Sequence, residues 1–179
     1  MTREDHRELL SKGVLSPGGT WADLGSGTGA FTAALAELIG GEGTIISVDR
    51  DGRALREQGE RLGPAYPRLD LRLLRADFTR LTDVPPLDGA IMANSLHFQE
   101  DAAGALRTVL GWLKPGAGLI VIEYDVESAS HWVPYPMPSS RLAQACASAG
   151  FTETRLLATR PSMYHGRVYS MLCVKGGAV

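Results

Sequence analysis

Asp23-Leu24-Gly25-Ser26-Gly27-Thr28-Gly29 is the stretch on which the reading of this chain turns. Ahead of it lies a short strand-like run, Thr20 to Leu24. After it, Phe31, Ala34, Leu35, Leu38 and Ile39 recur at i, i+3, i+4, i+7 and i+8. That spacing is the stripe of a buried helix face, so the glycines occupy a strand-to-helix turn. Glycine there permits positive φ and removes the Cβ atoms that would hold a ligand away from the backbone. The next strand, Thr44 to Asp49, is rich in β-branched residues and ends on a carboxylate. A carboxylate so placed can accept two hydrogen bonds from the vicinal hydroxyls of a ribose. Together the two features point to an adenosine-type cofactor.

Working outward, Ser16-Pro17-Gly18-Gly19 separates an N-terminal helix, Arg3 to Lys12, from the first strand. This divides the chain into a helix and linker over 1–19 and the main domain over 20–179. Gly40-Gly41 stops the second helix. Asp51 to Leu62 is a charged helix whose pairs Arg53/Glu57, Arg56/Glu60 and Glu57/Arg61 stand at i, i+4 and turn it toward water. Leu69, Leu71 and Leu73 alternate with Asp70 and Arg72 in a strand running to Ala76, whose charges suit a sheet edge. Ala90 to Ala93 is a fourth strand with the polar tip Asn94-Ser95-Leu96-His97. A helix from Glu100 carries Leu106, Val109, Leu110 and Leu113 and ends at Lys114-Pro115-Gly116. Gly118 to Tyr124 (GLIVIEY) reads as a strand buried on both faces. Asp125 to Pro138 is a long loop holding His131, Trp132 and Tyr135. A helix, Ser139 to Ala149, precedes two strands, Thr152 to Ala158 and Val168 to Val174, whose nine-residue connection lets them pair antiparallel. Strands alternating with helices define an α/β protein.

The 179 residues fit one domain, and 44% hydrophobic residues supply its core. Eighteen basic against 20 acidic residues give net −2, which argues against charge-driven binding to nucleic acid or anionic membrane. Eight arginines between Arg50 and Arg80 interleave with five acids, the pattern of a solvated helix and an edge strand. Every apolar run falls short of the ~20 residues a membrane helix needs. The start, MTREDHRELL, lacks the apolar core of a signal peptide. The expected location is the cytoplasm. Cys146 and Cys173 have neither CxxC spacing nor a His pair nearby, so they read as buried thiols and no metal site is expected.

Gly25-x-Gly27-x-x-Ala30 also fits the loose fingerprint of nicotinamide and flavin proteins. Asp23 discriminates: beside a diphosphate it would repel, whereas it suits the ammonium group of S-adenosylmethionine. From Thr20 to Val174 the chain resembles the class I S-adenosylmethionine-dependent methyltransferases. DLGSGTG resembles the glycine-rich motif of that family, Asp49 its ribose-binding acid and Ala76-Asp77-Phe78 its adenine-binding segment. Asp88-Gly89-Ala90 with Asn94-Ser95 is similar to its fourth motif. Leu113 to Gly118 and Ala149-Gly150-Phe151 are similar to the turns before its fifth and sixth strands.

The resemblance implies a one-domain, doubly wound Rossmann-like methyltransferase fold, a mostly parallel seven-stranded sheet with an antiparallel last strand. It implies a cofactor set of Asp23, Gly25, Ser26, Gly27, Gly29, Asp49, Arg50, Asp77, Phe78 and Asn94. Gly25 and Gly27 would line the methionine end, Asp49 would hold the ribose and Asp77 the adenine amino group, with Phe78 nearby. Arg50 departs from the pattern, since the residue after the ribose acid is often apolar; it must stack by its guanidinium face or point away. His97, after the fourth strand, is the candidate base for an acceptor that must lose a proton, its alternative being a partly exposed loop histidine. Trp132 and Tyr135 either cap the reaction centre or form a lid packed on its own core. His6 and His165 have no supporting neighbours. The resemblance leans toward a small-molecule acceptor and a monomer or homodimer. Methylation of RNA or protein, a nicotinamide oxidoreductase and a non-catalytic cofactor-binding module stand as alternatives.

Overall fold

A computed structural model describes residues 1–162 and 166–177. Its elements in chain order are α1 (Arg3–Ser11), β1 (Thr20–Leu24), α2 (Ala30–Leu38), β2 (Gly43–Asp49), α3 (Gly52–Ala65), β3 (Leu69–Arg75), β4 (Leu87–Ala93), α4 (Ala102–Trp112), β5 (Leu113–Tyr124), α5 (Ser139–Ala149), β6 (Glu153–Pro161) and β7 (Arg167–Val174). One-turn 3-10 helices, Phe78–Arg80 and Leu96–Phe98, follow β3 and β4.

The seven strands form one sheet in the order β3-β2-β1-β4-β5-β7-β6. Pairing is parallel from β3 through β5, and β7 runs antiparallel to both β5 and β6. The strand order reverses between β1 and β4, and in open α/β sheets the ligand crevice lies outside the carboxyl ends of the strands at such a switch point. The glycine turn, Asp49 and Asn94 all stand there.

Both faces of the central strands are buried, which is why their sequences are apolar runs rather than alternating patterns. On one face Trp21, Ile91, Ile120 and Ile122 pack with Leu9 and Leu10 of α1 and with Phe31 and Leu35 of α2. On the other, Leu24, Met92, Leu119 and Val121 pack with Leu106 of α4 and Leu142 of α5. The charged strand β3 is indeed an edge, and none of its residues is fully buried. Helix starts follow local chemistry. Thr2 and Asp5 form a reciprocal capping box on α1, and Asp51 caps α3 by accepting from Arg53 N and Ala54 N.

Several boundaries differ from the sequence reading. Helix α4 ends at Trp112, and Leu113 to Ala117 already belong to an irregular start of β5. There the register slips between Leu87↔Leu113 and Gly89↔Gly118, and Gly116 N donates to Lys175 O beyond β7. Lys114-Pro115-Gly116 is therefore a bulged strand entry and not a helix stop. Strand β6 runs on to Pro161 and β7 begins at Arg167, so the connection is shorter than nine residues. His165 lies outside the described residues.

Candidate functional site

The glycine turn is built by backbone geometry. Gly25, Gly27 and Gly29 have φ of 81°, 54° and 81°, a region that disfavours a Cβ. Gly25 N and Ser26 N donate to Val48 O at 2.8 and 3.1 Å, tying the turn to β2. A Cβ on Gly25 would come within 2.5 Å of Ser95 Cβ, so glycine there lets β4's tip close against the turn. Asp49 completes the clasp: Oδ2 accepts from Gly27 N at 2.7 Å and Oδ1 from Asp51 N at 2.8 Å. Because Asp51 caps α3, the carboxylate of Asp49 is left to the turn and to the space in front of it.

That space is a cavity of about 230 Å³ whose wall includes Gly25, Asp49, Arg50, Asp77, Phe78 and Asn94. The structure thus brings together six of the ten residues expected to surround a cofactor, with Ser95 and Phe98 beside them. Asp77 accepts from Thr79 N and Thr79 Oγ1 at 3.0 and 2.8 Å, capping the Phe78–Arg80 turn. Its other oxygen accepts from Arg50 Nη2 at 2.6 Å. Burial works upward on the Asp77 pKa, but the Thr79 and Arg50 contacts outweigh it and hold the group below its ordinary value. Arg50 thus reaches across the rim to Asp77, and its side chain stays 70% exposed. Asn94 is the one non-glycine residue with positive φ among the described residues, at 51°. Its N–H donates to Ile122 O at 2.8 Å, while its Oδ1 is buried without a partner. Strain and an orphan acceptor in one residue of the wall are the marks of a ligand site.

Asp23, Ser26, Gly27 and Gly29 are not part of this wall, and a Cβ on Gly27 would meet nothing within 4 Å. Asp23 is fully buried, and its Oδ2 accepts from Thr32 Oγ1 at 2.6 Å. Gln58 Nε2 donates to Thr32 Oγ1 at 3.0 Å and to Ser47 Oγ at 2.6 Å, and its Oε1 accepts from Ser26 Oγ at 3.2 Å. A buried polar network therefore backs the turn from β1 to α3. Asp23 Oδ1 has no partner, and burial pushes the Asp23 pKa up to about 7, opposed by the Thr32 contact and reinforced by Asp49. Gln58 was not anticipated on a helix read as solvated. Its signal is the i, i+3, i+7 stripe that it completes with Leu55 and Leu62, all three of them buried.

His97 is not the partly exposed loop histidine of the alternative reading. Its side chain is 3% exposed, and its Nδ1 lies 2.6 Å from Glu123 Oε2. The ring is packed beneath the tip of β4 between Phe98 and Tyr124, with centroid distances of 4.3 and 6.2 Å. Glu123, equally buried, was hidden in an apolar strand. The aromatic loop differs too. Val133 and Met137 are its buried anchors, Tyr135 N donates to His97 O at 3.0 Å, and Trp132 is 73% exposed instead of packing on a core. His6 stacks on Phe31 at 4.6 Å, away from the cavity wall.

With this geometry established, comparison with known proteins is informative. A family model described as "Methyltransferase domain" matches residues 22–116, more than half of the chain and the span that builds the cavity. The chain belongs to that family. Its sheet order, with the last strand antiparallel, is that of a class I S-adenosylmethionine-dependent methyltransferase. Among similar proteins, the probable cobalt-precorrin-6B C(15)-methyltransferase (decarboxylating) of Thermoplasma volcanium is 26% identical over 72% of this chain and 63% of its own. The ubiquinone/menaquinone biosynthesis C-methyltransferase UbiE of Pasteurella multocida is 32% identical over 58% of this chain and 39% of its own. The chain thus spans less than two thirds of the length of either relative. In three dimensions the fold matches YcgJ of Bacillus subtilis with a TM-score of 0.79 at 10% identity, covering 98% of this chain and 100% of that one. It matches the 1,6-didemethyltoxoflavin-N1-methyltransferase of Burkholderia thailandensis with a TM-score of 0.75 at 18% identity, covering 97% and 78%.

Proposed function

We propose that the protein transfers a methyl group from S-adenosylmethionine to a small-molecule acceptor. The observation that carries this reading is the wall that places Gly25, Asp49, Asp77 and the unpartnered Oδ1 of Asn94 around one cavity. Both oxygens of Asp49 and Oδ2 of Asp77 accept one hydrogen bond each and so retain acceptor capacity. Asp49 would take ribose hydroxyls and Asp77 the adenine amino group, with Phe78 against the ring. The buried Asp23 would supply negative potential from behind the turn, where a diphosphate would be repelled. Bound there, the cofactor supplies an electrophilic methyl on a sulfonium whose departure leaves a neutral thioether. The protein's task is then to hold the acceptor in line and to exclude water, which proximity alone makes effective.

A small acceptor is supported by relatives named for a precorrin and for quinones and by the structural neighbour named for a toxoflavin precursor, whereas one similar protein is named for ribosomal RNA. In the arginine-rich region Arg50, Arg68, Arg72 and Arg80 lie in ion pairs with Asp77, Glu42 and Asp70, which offsets part of its positive charge. No helix among the described residues is long and apolar enough to cross a membrane. Calorimetric titration tests the reading. S-adenosylmethionine or S-adenosylhomocysteine should bind with Kd on the order of micromolar, and NAD should give no heat. Binding of NAD with the sulfonium ligand silent would refute it.

A further inference from the structure

We propose that Glu123 is a positioning residue for the cofactor site, a role that rests on the cofactor reading above. Its carboxylate is fully buried at the end of β5 and makes three contacts, all to the tip of β4. Oε1 accepts from Leu96 N at 2.9 Å and from His97 N at 3.1 Å, and Oε2 meets His97 Nδ1 at 2.6 Å. The segment so held is the one that supplies Asn94, Ser95, Phe98 and Gln99 to the cavity wall. Two further bonds fix its position: Asn94 N to Ile122 O at 2.8 Å and Ser95 Oγ to Leu24 O at 2.6 Å. Ser95 is thereby seated against Gly25, and Asn94 is kept at its positive φ.

The logic is that of a clamp. A 3-10 turn of three residues after a strand leaves its first N–H groups without partners in its own backbone. A single carboxylate satisfies two of them and fixes the following imidazole. Without it the tip is held only by the Asn94 and Ser95 bonds, and the wall facing Asp49 and Asp77 loosens. A purely structural carboxylate would lower stability without a matching effect on ligand affinity; a positioning one lowers affinity in protein that is still folded.

The test uses the whole chain and S-adenosylhomocysteine as the probe. Glu123→Met, close in volume and lacking acceptors, should weaken binding by about tenfold or more while the protein remains folded by circular dichroism. Glu123→Gln, whose amide oxygen can still accept from Leu96 N and His97 N, should restore affinity to within about threefold of wild type. Leu142→Ala, a core truncation on α5, should lower the melting temperature with affinity retained. Wild-type affinity in folded Glu123→Met overturns the role and leaves the cofactor reading intact; a wild type that binds no S-adenosylhomocysteine overturns both. Should Glu123→Met not fold, Glu123→Asp keeps the charge but withdraws it by one methylene. Wild-type affinity in that variant overturns the role equally.

Discussion

Asp23→Asn should reverse its effect on stability between acid and mildly alkaline pH. The carboxyl is fully buried, one oxygen has no partner, and its pKa stands at about 7 against an ordinary 3.8. Burial is the main cause, Thr32 opposes it, and Asp49 adds to it. A folded-state pKa raised above the unfolded value means that the folded protein binds the extra proton. The stability linked to that proton is fully present below about pH 4 and is lost as pH rises through about 7. At about 1.4 kcal/mol per pH unit, the loss amounts to about 4 kcal/mol once the group is ionised.

Asparagine does not titrate, and its amide oxygen can keep the Thr32 Oγ1 bond. It places an amide N–H₂ where Oδ1 now lacks a partner, a cost of about 1–3 kcal/mol at any pH. At pH 8 the variant should therefore be more stable than wild type by about 1–3 kcal/mol, and at pH 4.5 less stable by a similar amount. Urea denaturation of both proteins at pH 4.5, 6, 7 and 8 reads this directly. Two stability curves that run parallel across the range would refute the reasoning, because they would place the titration elsewhere. Ligand binding adds an independent check: a cation bound in front of the turn lowers the Asp23 pKa. S-adenosylmethionine binding at pH 6.5 should then release a proton in wild type and none in Asp23→Asn, seen as a buffer-dependent heat.

Asp49→Ala should weaken S-adenosylhomocysteine binding by about tenfold or more. It deletes the acceptor for Gly27 N and Asp51 N as well as the proposed ribose contacts, each charge-assisted bond counting for roughly 1.5–3 kcal/mol. Calorimetry on the folded variant decides it, and unchanged affinity would return Asp49 to a purely structural place. Cys146 and Cys173 face each other in the core, and their mutual contact, then burial, hold the Cys173 thiol above its ordinary pKa. Neither should react with iodoacetamide in native protein at pH 8, and both should react in urea; rapid labelling of native protein would contradict that burial.

Local physics made much of this molecule legible. A strand, three glycines and a helical stripe fall within twenty residues, so the cofactor turn could be read without any long-range contact. The edge position of β3 was written in its alternating charges, and the antiparallel end of the sheet in a short connection. Glu123 was not legible, and the stripe with Leu55 and Leu62 marks only the burial of Gln58, because the partners of both are distant in sequence. Glu123 meets His97 across 26 positions and Gln58 meets Thr32 across the same separation. In a strand buried on both faces, periodicity does not reveal which position meets a neighbouring strand's tip. Asp49 and Asp51 are two residues apart, and only the backbone geometry separates the cap of α3 from the clasp on the glycine turn.

Order is unevenly distributed across the site. Buried polar bonds around the glycine turn link six elements: Asp23 and Thr32 join β1 to α2, and Gln58 and Ser47 join α3 to β2. Ser95 then ties the tip of β4 to Leu24, and Glu123 locks that tip to β5. Buried, satisfied bonds of this kind resist substitution, because removing one partner strands another. Elsewhere the surface is different: Phe98, Trp132 and Tyr135 are exposed, so exchanging these side chains costs the fold little. A scaffold held from within and permissive where its side chains meet water can vary at its surface without losing the glycine turn.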